Sequence, residues 1–429
     1  MKKLLQYNDA NMWSAACGAG GAHRAELKAL QSKLRDAKAA LDHLRLTDSQ
    51  GWFNLPYDEK LAISLMLRAK EVKRNFTDLI VIGIGGSNLG AKAIWQALGH
   101  EAQGVKLHFL DNPDPEVLAY WTRSRKVWKK TAINVISKSG STLETMSIFM
   151  LLRHELIKAV GEANHAKHIW VTTDPGQGIL QQIAKDNKYR MIDHPLTVGG
   201  RFSVLSSVGL FPAACAGLDA RKILKGAKAI ERAHRRQGIK HPVATFAALH
   251  YLAMKKRGQK IHVLMPYADR LKDFGLWYRQ LWAESLGKRG KGPTPVTASG
   301  PVDQHSQLQL YQDGPKDKIL TFLEVATYRQ SVSVPKAWSG ASELDYLRGL
   351  DFSTIMQSEL SGTAQALAHD GRPSGTLRIS EISEESLGAL FQFYELATAY
   401  LGELMGINAY DQPGVEQSKI NVQAILNKL

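Results

Sequence analysis

Apolar positions along this chain fall into two alternating rhythms. Unbroken apolar runs, as expected of strands buried on both faces, give way to stretches in which apolar residues recur at helical spacing. Residues 22–45 and 57–73 read as helices, with Leu, Ala and Lys or Glu at that spacing, and Gly51 to Pro56 separates them. DLIVIGIGGSNLGAKAIWQAL at 78–98 then predicts a strand, a glycine turn and a helix, and VKLHFLDN at 105–112 a second strand. The run Ile133–Ile136 predicts a third, stopping at the polar loop Ser137–Thr142. A helix follows that loop, signalled by Ser141 and Glu144 at capping-box spacing and by the apolar run Ile148 to Leu152. HIWVTTD at 168–174 supplies the fourth strand.

After Leu218 come a basic helix, 220–236, and a helix at 242–256. A second strand set follows at 260–268, 319–326 and 375–382, and then one long helix from Ser383 to Leu404. Strands alternating with helices predict an α/β fold of two doubly wound parallel sheets with helices on both faces. The pattern divides into an N-terminal helical segment, 1–60, packing on the second domain; a first α/β domain, 61–220; and a second, 221–429, with a C-terminal helical tail. In such sheets ligands sit beyond the carboxyl ends of the strands, where the loops 83–90 and 137–142 fall.

Composition narrows the class. With 429 residues, 44% hydrophobic and 22% charged, the chain is that of an ordinary soluble globular protein. Its two cysteines make neither a disulfide framework nor a metal cluster, which fits a reducing cytoplasm. No apolar run is long enough for a signal peptide or a membrane span. The formal charge of +15 admits nucleic acid or a phosphorylated metabolite as partner. The basic clusters at 123–130, 231–236, 255–260 and 287–292 are scattered, however, and no zinc-finger, RNA-recognition or basic-zipper pattern accompanies them. The expectation is therefore no nucleic acid and no membrane.

Candidate chemistry concentrates in the two loops. Ser137, Lys138, Ser139, Ser141 and Thr142 put five hydroxyl or ammonium donors around Gly140, between a strand end and a helix start. Free backbone N–H groups, the helix dipole and a lysine can converge there on a phosphate. The bland alternative is an ordinary Ser/Gly turn with a solvated lysine. Gly83 to Gly90 invites a dinucleotide reading with Asp111 as ribose contact, but Asn88 replaces the required last glycine. Ala91 stands where a P-loop needs lysine. What remains is a second phosphate- or hydroxyl-binding corner around Gly86 and Ser87, and a dehydrogenase is the weaker alternative.

Together these loops resemble the phosphosugar-binding sugar-isomerase (SIS) domain. Val198-Gly-Gly-Arg201-Phe-Ser203 resembles a signature of the glucose-6-phosphate isomerase family, and so does Tyr410-Asp-Gln412-Pro-Gly-Val-Glu-Gln-Ser-Lys419. Glu284-Ser-Leu-Gly-Lys288 and Gln304-His305-Ser306 are similar to its catalytic segments. The matches run in family order from Gly83 to Lys419. The resemblance implies interconversion of glucose 6-phosphate and fructose 6-phosphate without metal or organic cofactor. It also implies a homodimer that lends His305 across its interface. Ser137, Lys138, Ser139 and Thr142 would bind phosphate, Gly86 and Ser87 would line the sugar, and Gln412 would sit near either.

The reaction makes its own demands. Opening the sugar ring needs a group that titrates near neutral pH, a role for His305 assisted by Lys419. Alone, His305 would read as a structural or surface histidine and Lys419 as a solvated tail lysine. Arg201 suits an enediolate stabiliser, although outside its Gly-Gly-Arg setting it would read as a structural ion pair. Glu284 is the expected base between C2 and C1. It borders the apolar stripe Phe274, Trp277, Tyr278, Leu281 and Trp282 in the last helical turn, where the dipole disfavours a carboxylate. Its bland alternative is an exposed i,i+4 pair with Lys288. A non-catalytic sugar-phosphate-sensing regulator of the same fold would need neither Glu284 nor His305.

Overall fold

The computed structural model describes residues 4–123, 127–176, 178–335 and 342–428. The basic cluster at 123–130 therefore lies partly outside the described residues. Among the described residues ten strands form: β1 (Leu5–Asn8), β2 (Asp78–Ile82), β3 (Lys106–Leu110), β4 (Thr131–Ile136), β5 (Ile169–Thr173), β6 (Arg190–Asp193), β7 (Ile261–Pro266), β8 (Thr294–Thr297), β9 (Lys318–Val325) and β10 (Ser374–Ile379). They form two five-stranded sheets, ordered β3-β2-β4-β5-β6 and β1-β10-β9-β7-β8.

The first sheet is parallel throughout, and the burial of its central strands β2, β4 and β5 follows from helices covering both faces. β4 is buried at every position and β2 at all but Asp78. The second sheet is parallel except for β1, which runs antiparallel to β10, Leu5 opposite Ile379. The N-terminal segment is thus not wholly helical: its first regular element is a strand that closes the edge of the second sheet. β6 and β8 also went unread in the sequence. Both are four-residue edge strands with partly exposed patterns, too short for a periodicity to register.

In each sheet the strand order reverses once between neighbours, at β2/β4 in the first and β7/β9 in the second. Such a reversal opens a crevice at the carboxyl ends. Between the sheets runs the helix Glu384–Met405, buried nearly all round and apolar on all sides for that reason. Ser383 caps it by accepting from the Ser386 amide at 3.2 Å, and Gly406 ends it at φ +65°.

The helix Lys272–Leu286 packs on both this central helix and the helix Leu89–Leu98. It buries Phe274, Trp277, Tyr278, Leu281 and Trp282, each contributing about 1.5–3 kcal/mol. Its C-terminal turn is therefore held rigidly against the first crevice.

Candidate active site

The loop after β4 is pre-bonded. Ser137 Oγ accepts from the Gly140 amide at 3.1 Å and lies 3.1 Å from Thr142 Oγ1. Gly140 takes φ +72°, which favours glycine at the turn. The helix Leu143–Val160 begins after Thr142, whose side chain makes no cap bond. The capping box read from Ser141 and Glu144 does not form. Ser141 lies one residue too early, and its hydroxyl bonds Ser139 Oγ at 3.4 Å instead. The first amides of this helix are left without a side-chain acceptor, a setting suited to an anion.

Lys138 departs from the expected convergence. Its ammonium donates to the carbonyls of Leu196 and Val198, at 3.1 and 3.0 Å. It thus ties the loop after β4 to the Gly199-Gly200-Arg201 turn. His194 and Asp174 stand behind this tie with Nδ1 and Oδ1 3.3 Å apart. Burial, with Lys138 adding repulsion, pushes His194 down to about 4. Burial also raises Asp174, against the pull of Lys138.

The glycine loop after β2 meets the same turn. A Cβ on Gly86 would come within 2.2 Å of Gly200, so only glycine permits this approach. Asn88, the residue that spoils the dinucleotide pattern, is buried and donates to Gly83 O at 3.1 Å. Asp111, the former ribose candidate, faces Lys92 at 3.6 Å.

Arg201 is the hub. Phe202 next to it is buried between Trp52 and Tyr410, with ring centroids 5.2 and 5.5 Å away, and fixes the turn. Arg201 is 3% exposed, and its guanidinium spends its donors on two segments, 284–285 and 409–412. Nε donates to Ser285 Oγ at 2.8 Å. Nη1 donates to Gln412 Oε1 at 2.8 Å and to Glu284 Oε2 at 3.4 Å. Nη2 donates to the carbonyls of Ala409 and Asp411, at 2.7 and 2.9 Å. Burial pushes the arginine pKa down, opposed by Glu284 and Asp411.

The Glu284 carboxylate, 36% exposed, faces this cation and also accepts from Gln280 Nε2 at 3.3 Å. The simple pair with Lys288 does not form. Lys288 donates instead to the backbone carbonyls of Glu284 and Ser285 and lies 3.7 Å from Asp411. It closes the helix end that a carboxylate alone would leave unfavourable.

One chain therefore brings together Gly86, Ser87, Ser137, Lys138, Ser139, Thr142, Arg201, Glu284 and Gln412 around the first crevice. His305 and Lys419 are not drawn in. His305 is exposed on the short helix Gly300–Ser306 at the second crevice. Lys419 is exposed on the helix Glu416–Leu426 and pairs with Glu416 at 2.8 Å. Among the described residues, no hydrogen bond or ion pair links either to the Arg201 hub.

Gln280 is the hub residue that sequence reasoning did not reach, while Ser285, Lys288 and Asp411 stood inside the quoted segments without a site role. Gln280 was findable as the i−4 neighbour of Glu284 on one helix face. Among the described residues, no group of three or more His, Cys, Asp or Glu could hold a metal ion, and no helix is long and apolar enough to cross a membrane.

Comparison with known proteins adds a separate line of evidence. The family model described as phosphoglucose isomerase matches residues 68–315 and 355–429. A glucose-6-phosphate isomerase of Rubrobacter xylanophilus is 42% identical over 93% of each chain. One from Carboxydothermus hydrogenoformans is 38% identical over 94% of this chain and 90% of its own. The crystal structure of a hypothetical protein from Thermus thermophilus superposes with a TM-score of 0.89 at 34% identity, covering 98% of this chain and 99% of that one. A glucose-6-phosphate isomerase structure from Chlamydia trachomatis shares the fold, with a TM-score of 0.76 over 86% of this chain and 73% of that one.

Proposed function

The chain belongs to the phosphoglucose isomerase family and interconverts glucose 6-phosphate and fructose 6-phosphate, and from that premise we propose how its residues divide the reaction. The observation that carries the proposal is the Arg201–Glu284 contact at the rim of the first crevice, a buried cation beside a half-exposed carboxylate.

Ser137, Ser139, Thr142 and the free amides that follow hold the phosphate, with Lys138 supplying positive charge and fixing the loop. Gly86 and Ser87 line the sugar across from Glu284. Glu284 takes the proton from C2 and returns it to C1 on the same face of a planar enediolate. The negative charge that develops on the enediolate oxygens is met by Arg201, fixed in place with little reorganisation left to do. Gln412, bonded to the same guanidinium, turns towards substrate when the sugar enters. Gln280 orients the carboxylate.

Ring opening falls to His305, assisted by Lys419. Both are exposed in one chain, which supports a homodimer in which a second copy carries His305 to the crevice. The partner in turnover is the sugar phosphate, and neither metal nor organic cofactor takes part in these steps. The relatives from Rubrobacter xylanophilus and Carboxydothermus hydrogenoformans are named glucose-6-phosphate isomerases, and nothing favours a sugar-phosphate-sensing regulator. A cytoplasmic location is in keeping with two buried, unpaired cysteines.

Exchange of the C2 hydrogen with heavy water tests the base. Glu284→Gln keeps the shape and the bond from Gln280, so binding of a five-carbon phosphorylated acid that mimics the enediolate should survive. Exchange and turnover should fall by about 100- to 10,000-fold. Wild-type exchange in that variant would remove Glu284 from the role.

A further inference from the structure

A second basic cavity lies at the opposite end of the second sheet from its carboxyl-end crevice. Its volume is about 510 Å³, within the range of small-molecule sites. Lys33, Lys255, Lys260 and Lys291 line it, over a floor that includes Tyr251, Met254, Leu404 and Met405. Lys260 immediately precedes β7, and Gly292 lies just before β8, so the cavity opens at the amino ends of these strands. The reaction has no use for it.

The four lysines come from separate parts of the chain. Lys33 sits on the helix Gln31–Leu46, Lys255 on the last turn of Pro242–Arg257, Lys260 in the loop that follows, and Lys291 in the tight turn after Gly287. No carboxylate is among the residues lining the cavity. Among the described residues none of the four joins an ion pair. Lys33 donates to the Tyr251 hydroxyl at 3.1 Å, and Lys291 to the Met405 carbonyl at 3.4 Å. All four side chains are exposed in the single chain. Four ammonium groups around one concavity repel one another, and an anion that enters relieves that repulsion at several of them together.

We propose that this cavity binds a small anion carrying two or more phosphate groups, at a site separate from the catalytic crevice. A single phosphate would leave part of the lysine charge unmatched, whereas a short phosphate chain can reach lysines on opposite walls. The turn that carries Lys291 is also bonded to the helix end that carries Glu284. Lys291 and Lys288 bond each other across the 288–291 turn, and Lys288 caps the helix end that carries Glu284.

Tripolyphosphate titrated calorimetrically into the full chain tests the site, with the catalytic crevice first saturated by the five-carbon phosphorylated acid. The expected result is one tripolyphosphate per chain. Lys255→Ala with Lys260→Ala should weaken it about tenfold or more, with kcat/KM for fructose 6-phosphate unchanged. Arg232→Ala with Arg236→Ala, on an exposed basic helix end elsewhere, should leave the affinity as it was. Absence of binding once the crevice is filled would overturn the proposal. Equal weakening by the two double variants would also overturn it, since net charge alone would then explain the binding.

Discussion

The two sheets present the same crevice and fill it differently. At the first reversal, between β2 and β4, two hydroxyl- and glycine-rich loops close on the Gly199–Arg201 turn, and Arg201 uses its donors on two chain segments, 284–285 and 409–412. At the second, between β7 and β9, a cavity of about 420 Å³ remains, with Pro301, Val302, Val325, Tyr328, Met356 and Ile382 among its walls. Its two arginines, Arg270 and Arg329, are already matched by Glu101 and Glu381. The same order of four parallel strands thus yields one crevice with charge left for a substrate and one with its charge spent. The fold supplies the position, and the loops supply the chemistry. The second crevice contributes instead a carrier, the helix Gly300–Ser306 that presents His305 to solvent.

Altering the two crevices separately should expose that difference. The largest effect is expected from Arg201→Lys. Lysine has three donors and no fork, so at least two of the five bonds are lost inside a buried site. Steady-state kinetics should show kcat/KM lower by on the order of 100-fold, with the melting midpoint reduced as well. Near-normal turnover would show that Arg201 only braces the loops. Thr142→Ala removes one charge-assisted bond and should raise KM about tenfold while weakening inhibition by inorganic phosphate, the fold remaining intact. An unchanged KM and unchanged phosphate inhibition would move the phosphate away from this loop. The matching change in the second crevice, Arg329→Ala, breaks partly exposed ion pairs and should leave kcat/KM within about twofold.

Acid should act through the first crevice too. His194 is held at about 4, below its ordinary value of 6.5. Between these two values the unfolded chain binds the proton more readily than the folded one. Its contribution is therefore complete above pH 6.5 and is lost as the pH falls towards 4. Asp174, raised by burial, gains on acidification and offsets part of that loss. Urea midpoints measured from pH 7 to 4.5 should fall in the wild type and fall less in His194→Asn. Parallel curves would place the acid-sensitive group elsewhere.

Much of this contrast was legible in the residues. Seven of the strands were legible, most clearly β2, β4 and β5, where burial on both faces leaves few polar positions to blur the apolar run. The loop 137–142 and the residues Arg201, Glu284 and Gln412 were found through local motifs, and the structure gathers them at one crevice. Short edge strands such as β6 and β8 carry too few residues for a pattern. β1 is defined by its partner β10, some 370 residues away, which no local signal can supply. The capping box failed because the helix starts after Thr142, one residue later than Ser141 requires, and the Ser141 hydroxyl bonds Ser139 within the loop. Lys138 was expected to point at an anion, yet carbonyls from a distant turn compete for its ammonium. Whether a polar group binds a ligand or a neighbouring loop depends on tertiary contacts that spacing does not encode.

The central claim is that the first crevice holds the base and binding groups in one chain and is finished by His305 from a second. Glu284→Gln and His305→Ala homodimers should each be nearly inactive. Unfolding and refolding an equal mixture should restore activity, because a hybrid pair carries one site with both an intact Glu284 and an intact His305. With random pairing the recovered activity approaches about one quarter of wild type. A mixture no more active than its two components would contradict the account and place base and histidine in the same chain.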